Sequence, residues 1–271
     1  MKNKPTILLA GILLILSILA CTISIDGVQN ISGTSVQGSG NLGEEERTIS
    51  HVSSVELAMP GTLHITVGES ESLRIEAEDN LLEYIETDGI AGRLVIQTRP
   101  GSMIMATQPF NFYLTVVALD KLTASSSGDI VSEALQADQF TAQINSSGDL
   151  SIDGLDCNSL DVQINSSGNV TISELEAESI AVNISSSGSV DILGGEVERQ
   201  SIDINSSGEY RASDVASLEA DVHINSSGSA TIRVSEQLTG SLMSSGSIRY
   251  IGDPEVDVST SSSGDVEQIG E

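Results

Sequence analysis

Ala142-Gln143-Ile144-Asn145-Ser146-Ser147-Gly148-Asp149-Leu150 returns twenty residues later as Val162-Gln163-Ile164-Asn165-Ser166-Ser167-Gly168-Asn169-Val170. Equivalents of its Ser-Ser-Gly end at Gly128, Gly148, Gly168, Gly188, Gly208, Gly228, Gly246 and Gly264, spaced 20 residues apart five times and then 18 twice. Aligned on the glycine, the column four residues earlier reads Ala124, Ile144, Ile164, Ile184, Ile204, Ile224, Leu242, Thr260. Six residues before it stand Leu122, Ala142, Val162, Val182, Ile202, Val222, Gly240 and Val258; two after it stand Ile130, Leu150, Val170, Val190, Tyr210, Ala230, Ile248 and Val266. Polar residues fill the positions between. Period-two alternation on both sides of a fixed turn predicts two short strands per unit, each with one face inward. A unit of this size cannot bury its own apolar face, so the units must stack, each strand pairing with its equivalent in the next. The expected fold is all-β: a parallel β-helix of about 20-residue coils, right-handed by the general preference of parallel crossovers.

The conspicuous columns read as structural. Asn145, Asn165, Asn205 and Asn225 recur at one position, where stacked amides can hydrogen-bond along the axis. The marker glycines suggest a corner at φ > 0. Cys157 aligns with Ala137, Ala177 and Val197 and reads as a small core residue.

Outward from the repeats, residues 123–271 form the regular solenoid. Residues 44–122 alternate as strands without the Ser-Ser-Gly mark, as in Leu63, Ile65, Val67 and Phe110, Phe112, Leu114. They are expected to supply irregular first coils and to cap an otherwise open sheet edge. At the other end Asp253, Pro254, Glu255, Asp257, Glu267 and Glu271 oppose end-to-end pairing, leaving only weak self-association. Residues 21–43, rich in Gly, Ser and Asn, read as a flexible tether. Residues 1–20 have a basic start at Lys2 and Lys4 and an apolar run from Ile7 to Ala20, the features of a signal peptide. The apolar run is shorter than the roughly 20 residues of a membrane-spanning helix. Ile18-Leu19-Ala20-Cys21 resembles a bacterial lipobox, which makes Cys21 the expected lipid attachment site and places the protein outside the cytoplasm, anchored to the cell membrane or outer membrane. With Cys21 lipidated, Cys157 has no partner for an intramolecular disulfide.

The formal charge of −28 becomes −30 once Lys2 and Lys4 leave with the leader. Such a surface repels nucleic acid and anionic lipid and favours cations or basic partners. Aromatic residues make up 3% of the chain and Trp is absent, so the core must be built from small aliphatic side chains.

No catalytic constellation is legible. His51, His64 and His223 are isolated in sequence, without metal-ligand spacing. Lys121, Arg199, Arg211, Arg233 and Arg249, the only bases after residue 120, read as falling in different columns. No cofactor motif is present. Asp129 and Asp149, neighbours in the column after the glycine, offer a weak Ca²⁺ candidate, because stacked carboxylates would repel by roughly 1 kcal/mol in water.

Gly38-Ser39-Gly40-Asn41, Glu46-Arg47, Val52, Val55, Gly61-x-Leu63-x-Ile65, Leu73-Arg74-Ile75-Glu76-Ala77, Asn80-Leu81-Leu82 and Gly92-Arg93-Leu94-Val95-Ile96 together resemble the head GIN domain family, described as auto-transporter adhesins. The resemblance spans about residues 36–268. It implies a bacterial envelope location, a β-helical fold and an adhesin role, and carries over no catalytic residue. No run of membrane-barrel strands is legible at the C-terminal end, so self-translocation is not expected. The functional expectation is a non-catalytic envelope lipoprotein with a rigid head that binds a surface glycan or protein. The alternatives are a structural spacer and, less favoured, a polysaccharide-active β-helix enzyme.

Overall fold

The computed structural model describes residues 34–271. Nearly all of its strands belong to two large sheets, one of twelve strands and one of eleven, in which each coil contributes a strand to both. From Lys121 onward every pairing is parallel and joins equivalent residues of successive coils, as in Ile144↔Ile164, Ile164↔Ile184 and Ile184↔Ile204. These isoleucines are fully buried. The predicted stacking of Ile144, Ile164, Ile184 and Ile204 into one interior file is therefore what the chain adopts. Leu150, Val170 and Val190 form the facing file from the other sheet.

Each 20-residue coil has three sides rather than the two expected. The strand after the first turn is ten residues long, as in Leu135–Ile144 and Leu155–Ile164. In the first of these its alternation slips once, because Asp138 and Gln139 are both exposed. The strand bends there, and Leu135 to Ala137 form a short side of their own. Leu135, Leu155 and Leu175 stack inward along that side, beside Ala137, Cys157, Ala177 and Val197.

The marker glycines do not take the positive φ expected of them; the positive-φ glycines lie elsewhere. What excludes a side chain is the approach of the previous coil. A Cβ at Gly148 would stand 2.1 Å from the Gly128 carbonyl oxygen, and one at Gly168 2.1 Å from that of Gly148. Coil is packed on coil at the turn, with backbone against backbone. Asparagine amides reinforce the stack: Asn165 Nδ2 donates to Asn145 Oδ1 at 3.0 Å, and Asn225 Nδ2 to Asn205 Oδ1 at 2.7 Å. Ser185 interrupts that ladder and donates instead to Asn183.

The N-terminal coils are not stacked in chain order. Ser54–Ala58 and Thr62–Val67 pair in parallel with Lys121–Ala124 and Asp129–Ser132, so Met59-Pro60-Gly61 takes the place of a Ser-Ser-Gly turn. On their other side lie Arg93–Thr98 and Asn111–Val116, also parallel. The chain lays down its second coil in space first, builds the outer coil, then steps back across to Lys121. Beyond the outer coil the pairing turns antiparallel: Ile85–Ile90 with Arg93–Thr98, and Leu42–Arg47 with Ser72–Glu78, which itself pairs with Asn111–Val116.

Part of the stretch read as tether belongs to this end. Thr34–Gln37 pairs with Ser102–Met105, and Leu42–Arg47 is an edge strand. The loop between them is held by Glu78, which is buried. Its carboxylate accepts from the Gly40 amide at 2.6 Å, and from the Thr107 amide and hydroxyl at 2.8 and 2.7 Å. Burial would raise the pKa of this carboxyl, but the donors at Thr107, Gly40 and Gln108 outweigh it and hold the group below the usual glutamate range. Asn80 adds a reciprocal pair, accepting from the Ser39 amide and donating to the Gln37 carbonyl.

One polar chain crosses the apolar interior. Tyr210 Oη donates to Gln200 Oε1 at 2.7 Å, Gln200 Nε2 donates to Ser217 Oγ at 2.9 Å, and Ser217 Oγ donates to the Arg233 carbonyl at 2.6 Å. Gln200 occupies the file of Phe140, Leu160 and Ile180, and the next coil places Ala220 and Ala230 beside Gln200 and Tyr210. Burial raises the Tyr210 phenol far above its usual range, so it stays a neutral donor.

Three outcomes follow. Gly168→Ala, which must push two coils apart, is expected to destabilise by about 1–3 kcal/mol in urea melts, the usual range for overpacking. Tyr210→Phe strands the Gln200 carbonyl and should cost about 1–3 kcal/mol, much of it recovered by adding Gln200→Leu; purely additive losses in the double-mutant cycle would mean the pair is not coupled. A carboxyl with a lowered folded-state pKa contributes stability above its unfolded pKa, near 4.3, and loses it as pH falls through the folded value. The stability difference between the native chain and Glu78→Gln should therefore be full at neutral pH and shrink below about pH 4, read from urea midpoints across the pH range.

Candidate binding surface

Stacked parallel strands set every outward side chain in a straight file. On the eleven-stranded sheet one file runs Gln143, Gln163, Asn183, Asp203, His223 and Ser241, and the next runs Thr141, Asp161, Ala181, Ser201, Asp221 and Thr239. The face is flat and carries amide, carboxylate and hydroxyl groups in rows one strand spacing apart, about 4.8 Å. The small Ala181 leaves a shallow depression of about 450 Å³ walled by Asp161, Gln163, Asn183, Ser201 and Asp203. Donors and acceptors set at such intervals suit a polar, extended ligand.

Two readings from sequence need correction here. His223 is not isolated: its Nδ1 lies 2.9 Å from Ser241 Oγ and its Nε2 lies 3.2 Å from Asp221 Oδ2, while Thr239 Oγ1 donates to Asp221 Oδ1 at 2.9 Å. The row has the order of a Ser-His-Asp relay but not its setting. The Ser241 hydroxyl stands out from a sheet whose amides point sideways into the strand ladder, so the two N–H donors that would hold a developing oxyanion do not converge on it. His64 is also in contact, stacked on Tyr113 with centroids 5.1 Å apart, and the Arg74 guanidinium lies 4.1 Å from the centroid of the same ring. Both neighbours are on adjacent strands, so this half-exposed aromatic is flanked along the sheet.

The arginines are likewise less scattered than their spacing suggested. Arg211 and Arg249 share an outward file on the twelve-stranded sheet, separated by Thr231. Each is matched to acid: Arg211 to Asp191 and Glu209, Arg249 to Glu267 at 3.9 Å, and Arg199, on the other sheet, to Glu219 at 2.9 Å. They tie coil to coil.

Asp129 and Asp149 do lie on successive coils, with their carboxylates already engaged. Asp129 Oδ1 accepts from the Asp149 amide at 3.0 Å, and Asp149 Oδ1 accepts from the Asn169 amide and side chain, each at 2.9 Å. Asn169 passes the pattern on to Ser189. The file after the glycine thus caps the backbone of each following coil, and among the described residues no group of three or more His, Cys, Asp or Glu forms a metal cluster. Cys157 is buried, and desolvation followed by the nearby Asp156 charge pushes its thiol up to about 11, so it remains protonated. Cys21 lies outside the described residues.

Known proteins align with this geometry. The solved structure of a "putative adhesin" from Parabacteroides merdae superposes with a TM-score of 0.77 at 23% identity, covering 87% of this chain and 99% of that one. A second "putative adhesin", from Parabacteroides distasonis, gives 0.79 at 20% identity over 87% and 100% of the two chains. A "putative lipid binding protein" from the same species gives 0.76 at 22% identity over the same shares. At these identities the likeness establishes the fold. No curated protein matches the chain. The family model described as "Putative auto-transporter adhesin, head GIN domain" matches residues 51–173 and 160–254, well over half of the sequence. The chain, with its glycine-marked coils and its order-swapped N-terminal end, belongs to the head GIN domain family.

Proposed function

We propose that this protein is a non-catalytic lipoprotein of the bacterial cell envelope, held to a membrane through Cys21, whose solenoid binds a glycan or protein on another surface by its flat polar face. The observation that carries the reading is the pair of polar files on the eleven-stranded sheet, interrupted only at Ala181, where the depression lies. Parallel stacking repeats one donor and acceptor pattern at a fixed interval, which matches an extended repeating ligand better than a compact small molecule. Membership in an adhesin family and the lipobox-like run before Cys21 support an extracytoplasmic site of action. A spacer with no ligand of its own is the competing role, and the same experiment separates the two.

Ala181 is exposed, so Ala181→Tyr fills the depression without touching the core. Purified protein is expected to bind a glycan array or isolated envelope fractions saturably, and Ala181→Tyr to weaken that binding about tenfold with the melting temperature unchanged. Undiminished binding by the variant would move the site elsewhere, and absence of saturable binding to any fraction would favour the spacer. Cys21→Ser should abolish incorporation of labelled palmitate and leave the leader uncleaved, seen as a slower-migrating band on gels.

A further inference from the structure

The coil length changes from 20 to 18 residues after Gly228, and the short third side ends there. Of the strand Val215–Ile224, only Glu219–Ile224 is laddered to Gln237–Leu242 of the following coil, so Val215 and Ala216 have no strand partner there. Val234 to Glu236 instead cross that edge, with the Ser235 amide donating to the Ser217 carbonyl at 3.0 Å and the Glu236 amide to that of Leu218 at 2.9 Å. In front of the step lies a groove of about 580 Å³.

Ala216 and Leu218 supply its exposed apolar surface, Leu218 being 44% exposed, beside the half-buried Ala177, with Val197 and Val234 buried beneath. Its walls are Glu176, Glu178, Glu196 and Glu198, all exposed, and none has an ion-pair partner among the described residues. Glu176 and Glu196 are register partners on adjacent strands, so like charges stand side by side. The one base lining the groove, Arg233, has its Nε committed to the Ser213 carbonyl at 3.0 Å. The four carboxylates are too dispersed to form a metal cluster. Glu196 is the register partner of Ala216, and Glu198 and Leu218 lie between the pairs Val197–Ser217 and Arg199–Glu219, so the acidic files run into the exposed apolar pair, which calls for an occupant with separated positive charges around an apolar side chain. Beneath the floor, the hydrogen-bonded chain of Ser217, Gln200 and Tyr210 fixes the shape of the groove.

We infer that this groove docks a basic polypeptide segment, an apolar side chain seated against Ala216 and Leu218 and flanked by Lys or Arg set against the paired glutamates. The inference is independent of the polar face, which lies on the other part of the coil.

The test uses the full described chain and three synthetic peptides: one containing Lys-Leu-Lys, one with Lys-Ser-Lys and one with Ser-Leu-Ser, titrated by calorimetry. The first is expected to bind at least about tenfold more tightly than either of the others. The substitution set Glu176→Gln, Glu178→Gln, Glu196→Gln and Glu198→Gln should weaken it by about tenfold or more, and Leu218→Ser by about fivefold. The same number of charges removed at Glu46, Glu69, Glu83 and Glu133, exposed and remote from the groove, should change it less than about twofold. All substituted side chains are exposed, and melting curves confirm that the variants fold. Equal losses from the groove and remote sets, or equal affinity for the Lys-Leu-Lys and Lys-Ser-Lys peptides, would mean diffuse attraction to an acidic protein and would overturn the inference.

Discussion

Each coil rests on the backbone of the one before it, and the rest of the structure is a consequence of that seat. At Gly148 and Gly168 the preceding carbonyl oxygen stands where a Cβ would be, so the turns close onto one another only with glycine there. Once the turns are in contact the register is fixed, because a slip of one residue would turn the Ile144 file outward and its polar neighbours inward. Fixed register in turn aligns the outward side chains, and the aligned Asn and Asp groups hydrogen-bond between coils without any long-range folding of loops. The same constraint that builds the core therefore builds the polar face.

An acidic protein of this charge would be expected to strain against itself, since stacking puts like residues beside like. The chain relieves this in two ways. Some carboxylates are turned into backbone acceptors, as at Asp129, Asp149 and Glu78, where the negative charge meets amide donors. Others meet an arginine from the adjacent coil, as Glu219 meets Arg199 and Asp191 meets Arg211. The glutamates beside the third side, Glu176, Glu178, Glu196 and Glu198, receive neither remedy, and Glu176 and Glu196 stand side by side on adjacent strands.

The regular coils were legible from sequence because a column of eight equivalent residues averages away local ambiguity; Ile144 to Ile204 could face only one way. What was not legible depends on contacts that no column repeats. The third side hides in a single slip of alternation at Asp138-Gln139, which a two-strand reading absorbs into a turn. The swapped order of the N-terminal coils is invisible because Met59-Pro60-Gly61 does the work of Ser-Ser-Gly without resembling it. Gly38 to Asn41 looked like linker by composition, and its partners lie far along the chain: Asn80 and Glu78 accept from the Ser39 and Gly40 amides, Asp79 from the Ser39 hydroxyl and the Met105 carbonyl from the Gly38 amide. Gln200 lies in an apolar file and finds its reason ten residues on, at Tyr210. The row of Asp221, His223 and Ser241 was missed because its members come from two coils and one of them follows the change of period.

That change of period bears on where function can arise in such a protein. Identical coils generate flat faces, since every outward file continues unchanged, and a flat face offers rows but no walls. A concavity needs a break in the repeat. Here the loss of two residues after Gly228 removes the third side of the coil, exposes the end of the previous one and leaves Leu218 uncovered beside two rows of glutamate. The spacing of the marker glycines, 20 five times and then 18, thus records the one place along the regular coils where the cross-section is forced to change. In a solenoid the departures from the repeat carry the local chemistry, and the repeat itself supplies the rigid frame on which that chemistry is held.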